Sequence, residues 1–414
     1  MILPRLRILR VLCLLPAFDA DATTYDFTTT PPAPFTTERG HGVDFGTTAA
    51  PGEPFYFSVA VPEGTYRVTV TFGAADAASD NTVKVESRQL LLEGVTTRPG
   101  EFVTRSFLVN TRTPALKPPP PFAPGGTTVL LNEREQGILR WDDRLTLEFN
   151  GAAPHVAQVV ILPAPEAPVL YVLGDSTVTD QPSGDYSSWA QMLPRFLDGQ
   201  VAVANHAESG ETLKSFLTEL RLAKVLSTLK AGDTVLMQFG HNDQKSNWPQ
   251  TYVEPHTTWP AYLRAYVAEI KLRGATPVLV TSMERRTFND ADRIRTTHGD
   301  YPAAVREVAA AEGVTLIDLQ PASVALYEAL GPSRSKLAFA NGGKDGTHHS
   351  FYGGYELARA VAQALLKSGL PIAQHVLPSV GTYDPRHPGD PTAFELVESP
   401  PLPEVDPNAK PRGN

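Results

Sequence analysis

The stretch "VLYVLGDSTVTD", residues 169–180, decides the fold prediction. Its first five residues, Val169 to Leu173, are apolar or aromatic and run directly into Gly174-Asp175-Ser176. A short apolar run that stops at turn-forming residues is typical of a strand buried on both faces of a parallel sheet. Ser176 then belongs either to an ordinary turn or to a position at the sheet edge where it can react.

The chain that follows this strand alternates between short apolar runs and helical segments. The predicted strands are "VLYVLG", "VAVANHA", "TVLMQFG", "PVLVTS" and "VTLIDL", and the predicted helices lie near 188–198, 212–229, 260–273, 302–312, 321–330 and 353–367. This pattern predicts an α/β domain at 169–376, with a doubly wound parallel sheet of about five strands. Ligands of such sheets bind outside the carboxyl ends of the strands.

Residues 23–163 have a period of two instead. In "TYRVTVTF" four side chains share one face: Tyr66, Val68, Val70 and Phe72. Further β-rich runs are "PFYFSVAVP", "EFVTRSFLVN", "LTLEFNG" and "HVAQVVILP". Strands without intervening helices predict an all-β antiparallel sandwich. The proline-rich segment 116–126 predicts an exposed loop, and 164–168 predicts a stiff linker between the two domains.

The two ends of the chain differ from both domains. Three arginines, a short apolar run at 11–18 and Ala20-Asp21-Ala22 resemble the parts of a secretory signal peptide at 1–22, so we expect a secreted or periplasmic protein. The alternative is a ragged, non-native start. Cys13, the only cysteine, lies in this segment, which excludes disulfides from the mature chain. The proline-rich tail, 377–414, is expected to be either disordered or draped over the surface.

Composition excludes some function classes. The chain has 414 residues, which suggests two domains, and it is 42% hydrophobic and 20% charged, as in ordinary globular proteins. Its net charge of −9 argues against nucleic acid or an anionic membrane as a partner. The oligomeric state is not predicted.

Polar residues that could perform chemistry follow the ends of the predicted strands or precede the last helix. They are Ser176, "NHAESG" at 205–210, "GHND" at 240–243 and "KDGTHH" at 344–349. Acyl transfer requires a nucleophile, a base with an orienting acid, and fixed donors for an oxyanion. We assign Ser176 as nucleophile, His348 as base and Asp345 as its orienting acid. The expected oxyanion donors are the backbone amides of Ser176 and Gly210 and the side chain of Asn242.

Each of these motifs has a plainer interpretation when taken singly. Gly-Asp-Ser is usually turn chemistry, and Asp345 with His348 could be a helix N-cap beside a surface histidine. His241, Asp243 and Asp175 could be metal ligands, but no third histidine has a clear ligand spacing. We therefore predict no catalytic cofactor and no catalytic metal.

Four segments together resemble the sequence blocks of the SGNH (GDSL-like) hydrolases: "GDST", "HAESG", "FGHNDQK" and "DGTHHSFYGGYELA". Thr177 after the nucleophile and His241 before Asn242 resemble the rhamnogalacturonan acetylesterase branch more narrowly. The resemblance covers about residues 168–370. It implies a flavodoxin-like sheet and serine esterase activity, and Asp175 and His241 are expected to support the site from behind.

The sequence departs from the family pattern at two places. His349-Ser350 stands where bacterial members usually have Phe-Asn, which leaves His349 as an alternative base. Val178 replaces the second glycine of Gly-x-Ser-x-Gly, which disfavours an α/β-hydrolase elbow. The N-terminal sandwich resembles a galactose-binding-like module. It is either a carbohydrate-binding domain, with Trp141 as a candidate platform, or a structural cap.

The resemblance also suggests a substrate class, because acetylated rhamnogalacturonan is a polyanion. Four cations near the strand ends are candidates for binding it: Arg285, Arg286, Lys245 and Arg334. They could equally form solvated faces or internal ion pairs. The favoured function is a secreted carbohydrate O-acetylesterase acting on pectin. Alternatives are an esterase of the same fold acting on acetylxylan, other acetylated glycans or short-chain esters, and a non-catalytic glycan-binding protein.

Overall fold

A computed structural model describes residues 22–29, 31–118, 125–137 and 139–402. Nearly all of the predicted signal peptide and the centre of the proline-rich loop at 116–126 lie outside the described residues. The described strands are β1 (Thr23–Asp26), β2 (His41–Asp44), β3 (Phe55–Ala60), β4 (Gly64–Phe72), β5 (Ser79–Val85), β6 (Gln89–Thr97), β7 (Val103–Thr111), β8 (Arg144–Ala153), β9 (Val156–Pro163), β10 (Val169–Gly174), β11 (Ala202–Asn205), β12 (Thr234–Gln238), β13 (Thr276–Val280) and β14 (Thr315–Ile317).

The helices lie in the second half of the described chain. They are α1 (Trp189–Met192), α2 (Leu213–Thr218), α3 (Arg221–Thr228), α4 (Thr258–Leu272), α5 (Tyr301–Glu312), α6 (Leu319–Arg334), α7 (Ala340–Gly343) and α8 (Phe351–Leu366). Short 3₁₀ turns lie at Glu133–Glu135, Leu193–Phe196, Ser335–Ala338, Pro371–His375 and Pro378–Val380. None of the described helices has the length and apolar character needed to cross a membrane.

The single helix predicted near 212–229 is wrong, because the structure divides it into α2 and α3. Leu220, between them, has a left-handed φ of 66°, a conformation that an α-helix does not tolerate. The carbonyl of Glu219 accepts a hydrogen bond of 3.0 Å from the amide of Leu130, in the N-terminal half. The helix is therefore interrupted where a loop of the other domain docks on it.

The N-terminal half is a sandwich of two antiparallel sheets, with strand orders β1-β9-β4-β7 and β2-β3-β8-β5-β6. The predicted buried face of β4 is confirmed, since Tyr66, Val68, Val70 and Phe72 are all at most 6% exposed. Strands β5 and β6 were not among the predicted runs. Buried polar residues interrupt the apolar pattern that predicts a strand, Asn81 and Lys84 in β5 and Gln89 and Thr97 in β6.

Trp141 does not serve as an exposed platform for sugars. The residue is 7% exposed, its indole Nε1 donates to Glu135 at 2.9 Å, and the guanidinium of Arg112 lies over its ring at 4.5 Å. A tryptophan whose ring face and N–H are both occupied cannot stack on a carbohydrate. The prediction of Trp141 as a binding platform is therefore wrong.

The second half is the predicted doubly wound α/β domain. Its five strands are all parallel, in the order β11-β10-β12-β13-β14. Alternate residues of β10 enter different cores: Leu170 and Val172 pack with α1, α6 and α8, whereas Tyr171 and Leu173 pack with α2, α3, α4 and α5. Because both faces of the strand are covered, its sequence is continuously apolar.

The described part of the C-terminal tail, 377–402, lies over both halves of the molecule. The phenyl ring of Phe394 packs against Tyr352 and Tyr355 of α8. Further along, the carbonyl oxygens of Val397 and Pro400 accept hydrogen bonds of 2.9 Å from Lys84 and Tyr56 of the sandwich. Of the two conformations considered for the tail, the draped one describes these residues.

Candidate active site

Ser176 lies in a tight turn directly after β10. The carbonyl of Asp175 accepts hydrogen bonds of 3.0 Å from the amides of Val178 and Thr179, so the chain turns within one residue of the strand end. A Cβ on Gly174 would lie 2.7 Å from the carbonyl oxygen of Gln238, so only glycine allows this approach to β12. The turn therefore presents Ser176 at the carboxyl end of the parallel sheet.

The structure brings His348 and Asp345 to this serine. Nε2 of His348 lies 2.9 Å from Oγ of Ser176, and Nδ1 of His348 lies 2.8 Å from Oδ2 of Asp345. The other oxygen of Asp345 accepts the backbone amides of Thr347 and His348 at 2.7 and 2.9 Å. Burial alone would raise the pKa of Asp345, but these hydrogen bonds and the imidazole lower it to about 2. Asp345 is therefore a carboxylate at neutral pH.

The neighbouring His349 has a different environment. Its ring is completely buried, and its Nε2 lies 2.6 Å from the hydroxyl of Tyr327. Burial, together with the charge of His348, lowers the pKa of His349 to about 3, so this imidazole is neutral. Its carbonyl oxygen accepts the amide of Ser187 at 2.8 Å. Of the two adjacent histidines, the one that contacts Ser176 is His348.

The two other expected oxyanion donors are on loops that are joined to each other. Gly210 has a φ of 83°, in the left-handed region that glycine adopts without strain. The side-chain amide of Asn242 donates to the carbonyl of Glu211, the next residue, at 3.1 Å. This hydrogen bond couples the loop after β11 to the loop after β12.

Asp175 and His241, the two predicted supporting residues, are buried next to each other. Nδ1 of His241 is 3.3 Å from Oδ2 of Asp175, and both side chains are buried. The other oxygen of Asp175 accepts the amide and hydroxyl of Thr177 at 2.9 and 2.7 Å. Burial lowers the pKa of His241, so the ring is neutral at pH 7. Within the described chain, no group of three or more potential ligands is arranged to hold a metal ion.

The four candidate substrate cations fall into two groups. Arg285 and Lys245 are half-buried beside the site: Arg285 donates to the carbonyl of His241 at 3.2 Å, and burial and the charge of Arg285 both lower the pKa of Lys245. Arg286 instead donates to the carbonyl of Gly343 at 2.9 Å, on the segment that leads to Asp345. Arg334 is exposed and paired with Asp390 of the tail at 2.7 Å.

Three residues close to this constellation were not predicted from the sequence. Tyr186 has its ring centroid 6.0 Å from that of His348. Arg140 comes from the N-terminal half and donates to Thr179, to Glu208 and to the carbonyl of Ala207, thereby contacting the loops that carry Ser176 and Gly210. Arg88, also from the N-terminal half, contacts the segment that precedes Tyr186. Their partners lie far away in sequence, so no local motif identifies them.

The sequence is similar to those of known hydrolases. The GDSL-like Lipase/Acylhydrolase family matches residues 172–350. Rhamnogalacturonan acetylesterase RhgT of Bacillus subtilis is 36% identical over 225 residues, which are 51% of this chain and 95% of the relative. Probable rhamnogalacturonan acetylesterase YesY of the same organism is 34% identical over 50% of this chain and 97% of the relative.

A third relative extends into the N-terminal half. Uncharacterized esterase YxiM of Bacillus subtilis is 26% identical over 319 residues, which are 76% of this chain and 75% of the relative. The first two relatives therefore match a span the size of the α/β domain, and the third matches more of the chain than that domain alone.

Proposed function

The chain belongs to the GDSL-like lipase and acylhydrolase family, the SGNH hydrolases, and is a carboxylic ester hydrolase; on that premise we propose that it removes acetyl groups from pectin of the rhamnogalacturonan type. The observation that carries this proposal is the continuous chain of contacts from Asp345 through His348 to Ser176, at 2.8 and 2.9 Å. A serine hydroxyl within reach of an oriented imidazole is the arrangement that acyl transfer needs.

In the first step, Oγ of Ser176 attacks the acetyl carbonyl carbon, and its proton passes to Nε2 of His348. Asp345 keeps the imidazole in the tautomer that has Nε2 free to accept this proton, and it stabilises the imidazolium that forms. We assign the oxyanion to the amides of Ser176 and Gly210 and to the side chain of Asn242. The sugar oxygen then leaves with the proton from His348, and an acetyl-serine remains.

The second step repeats this route with water. His348 takes a proton from water, whose oxygen attacks the acetyl carbonyl, and the same three donors stabilise the second oxyanion. Acetate leaves as Ser176 recovers its proton from His348. The chain's own groups perform both steps.

The substrate assignment rests on the two relatives named rhamnogalacturonan acetylesterase and on local charge. The protein has a net charge of −9, so a polyanionic substrate requires cations near the serine. Arg285 and Lys245 lie beside Asp175 and the Asn242 loop, where their charge favours a uronate carboxylate. We also propose that residues 1–22 direct export, because a polymeric substrate is met outside the cell.

Acetate release from a panel of acetylated polysaccharides tests the function. The panel comprises acetylated rhamnogalacturonan, acetylated homogalacturonan, acetylxylan and p-nitrophenyl acetate, with Ser176→Ala as the blank. We expect Ser176-dependent release on every ester and the highest kcat/KM on rhamnogalacturonan. Preference for acetylxylan would contradict the pectin assignment. Hydrolysis equal in wild type and Ser176→Ala would contradict the serine mechanism and favour a glycan-binding protein.

A further inference from the structure

The turn between β5 and β6 of the sandwich has an unusual backbone. Glu86 and Arg88 have φ angles of 50° and 63°, in the left-handed region, although neither is glycine. Such residues persist only where the surrounding structure imposes the conformation, and they cluster at functional positions. The turn places the side chain of Arg88, which is 4% exposed, against the α/β domain.

The side chain of Arg88 donates hydrogen bonds to several carbonyl oxygens of one loop. We call residues 180–187, which lie between the Ser176 turn and α1, the bridging loop. Nε, Nη1 and Nη2 of Arg88 lie 2.6–3.1 Å from carbonyl oxygens of Gln181, Ser183, Gly184 and Tyr186. A guanidinium presents five N–H donors in a fixed plane, whereas lysine presents three at one point, so only arginine can serve four converging carbonyls.

The bridging loop in turn holds both partners of the proposed proton transfer. On one side, the side-chain amide of Gln181 donates to the carbonyl of Ser176 at 2.8 Å. On the other side, the amide of Ser187 donates to the carbonyl of His349 at 2.8 Å, immediately after His348. The loop also places the ring of Tyr186 beside that of His348, with centroids 6.0 Å apart.

A further attachment involves the segment that leads to Asp345. The carboxylate of Asp185 accepts the backbone amides of Asn341 and Gly342 at 2.9 and 3.1 Å. The amide of Ala340, next to them, donates to the carbonyl of His348 at 3.0 Å. The bridging loop is thus hydrogen-bonded to the nucleophile turn, to the histidine segment and to the residues that precede the orienting acid.

We infer that Arg88 of the N-terminal sandwich is a positioning residue for ester hydrolysis: it fixes the bridging loop, and through that loop the distance between Ser176 and His348. This inference rests on the proposed function. It assigns the sandwich a part in the reaction that does not depend on carbohydrate binding. Because a displacement of about 1 Å can cost about 100-fold in rate, loss of one guanidinium should be measurable as activity.

The test measures how fast Ser176 reacts with a fluorophosphonate probe. In this reaction Oγ bonds to phosphorus, fluoride leaves, and the serine proton passes to His348, so the rate reports activation of the nucleophile without polysaccharide binding. The variants are Arg88→Gln and Arg88→Lys. Each is assayed at about 20 °C, near the usual temperature of maximum stability, after near-ultraviolet circular dichroism confirms a folded state.

Arg195→Gln is the matched control. Arg195 forms an ion pair of 2.9 Å with Glu93 of the sandwich, so it too joins the two domains, but neither residue belongs to the bridging loop. We expect the control to label at the wild-type rate and Arg88→Gln to label about 10- to 100-fold more slowly. Arg88→Lys should recover little, and KM for p-nitrophenyl acetate should change less than kcat.

Each outcome separates this inference from the proposed function. A wild-type protein that is not labelled at Ser176 would contradict the proposed function itself. A labelled wild type with folded Arg88→Gln reacting at the same rate would overturn only the positioning inference. If the Arg88 variants do not fold, Asp185→Ala tests the same loop from its other end, and labelling of that variant at the wild-type rate would overturn the inference.

Discussion

The two five-stranded sheets place their polar residues at different points along the strands. In the parallel sheet, β10 is apolar from Val169 to Leu173, and the polar residues begin just past its end, at Asp175. In the antiparallel sheet β2-β3-β8-β5-β6, Lys84 of β5 and Glu148 of β8 lie inside the strands, 3.0 Å apart and almost completely buried. One sheet carries polar groups at its edge, the other within its layer.

The position of a polar group along its strand decides whether it contributes to the reaction or to the stability of the fold. A polar group buried inside a strand must find a partner within the fold, because an unpaired one is costly. A polar group just beyond a strand end is held by a turn and can still meet a substrate. Substitutions just beyond the strand ends of the parallel sheet should therefore change turnover. Substitutions inside the strands of the antiparallel sheet should change the free energy of unfolding.

The largest expected effect is that of Asp345→Asn at the edge of the parallel sheet. An amide preserves the shape but can no longer hold His348 in the required tautomer, so we expect kcat to fall about 10⁴-fold with little change in Tm. Because the pKa of Asp345 is about 2, this carboxylate remains charged in mild acid. Protonation of Asp345 should therefore not set the acid limb of the wild-type activity profile.

Steady-state kinetics on p-nitrophenyl acetate measure the Asp345→Asn effect. Asp384→Asn, in the exposed part of the tail, is the control for removal of a carboxylate. Retention of more than about a tenth of the wild-type kcat in Asp345→Asn would show that the imidazole does not depend on this acid.

The second effect concerns the interior of the antiparallel sheet. Lys84→Met leaves Glu148 buried without its cation, so we expect the free energy of unfolding to fall by about 3–5 kcal/mol. Urea denaturation measures this loss, and kcat per folded molecule should stay at the wild-type value. The double variant Lys84→Met/Glu148→Leu should recover much of the stability. A stable Lys84→Met protein with reduced kcat would break the division between the two sheets.

The smallest effect distinguishes two neighbouring cations at the edge of the parallel sheet. Arg285→Gln removes charge beside Asp175, so we expect about a tenfold greater loss of kcat/KM on acetylated pectin fragments than on p-nitrophenyl acetate. Arg286→Gln removes the anchor of Gly343 and should reduce both activities by the same factor. Equal losses on both substrates in Arg285→Gln would contradict its role in binding a polyanion.

The order and type of the elements in the α/β domain could be predicted because its strands are buried on both faces. Runs such as Val169–Leu173 carry that information locally. The same reasoning failed for β5, where Asn81 and Lys84 are buried with partners on other strands or in the tail. It also failed for Trp141, since the partners that bury it, Glu135 and Arg112, become neighbours only in the folded chain.

Some residues in and around the candidate site could be predicted from the sequence, and others could not. Parallel-sheet topology brings the strand ends to one side, which places Ser176 there, whereas Asp345 and His348, which precede the last helix, were assigned from their spacing and from the family resemblance. Arg88 could not be found by that route. Its partners are main-chain carbonyls more than 90 positions away. Every residue has a main-chain carbonyl, so the sequence does not show which of them bind Arg88.

The path of the tail has a consequence for biosynthesis. Residues 397–400 complete the hydrogen bonding of Lys84, Tyr56 and Asn150, which belong to the sandwich and are translated before the α/β domain. Domains generally fold in order as they leave the ribosome, but this one must wait for some of its partners until residues 397–400 have been translated. A nascent chain halted before that point would present an unfinished sandwich to chaperones and proteases.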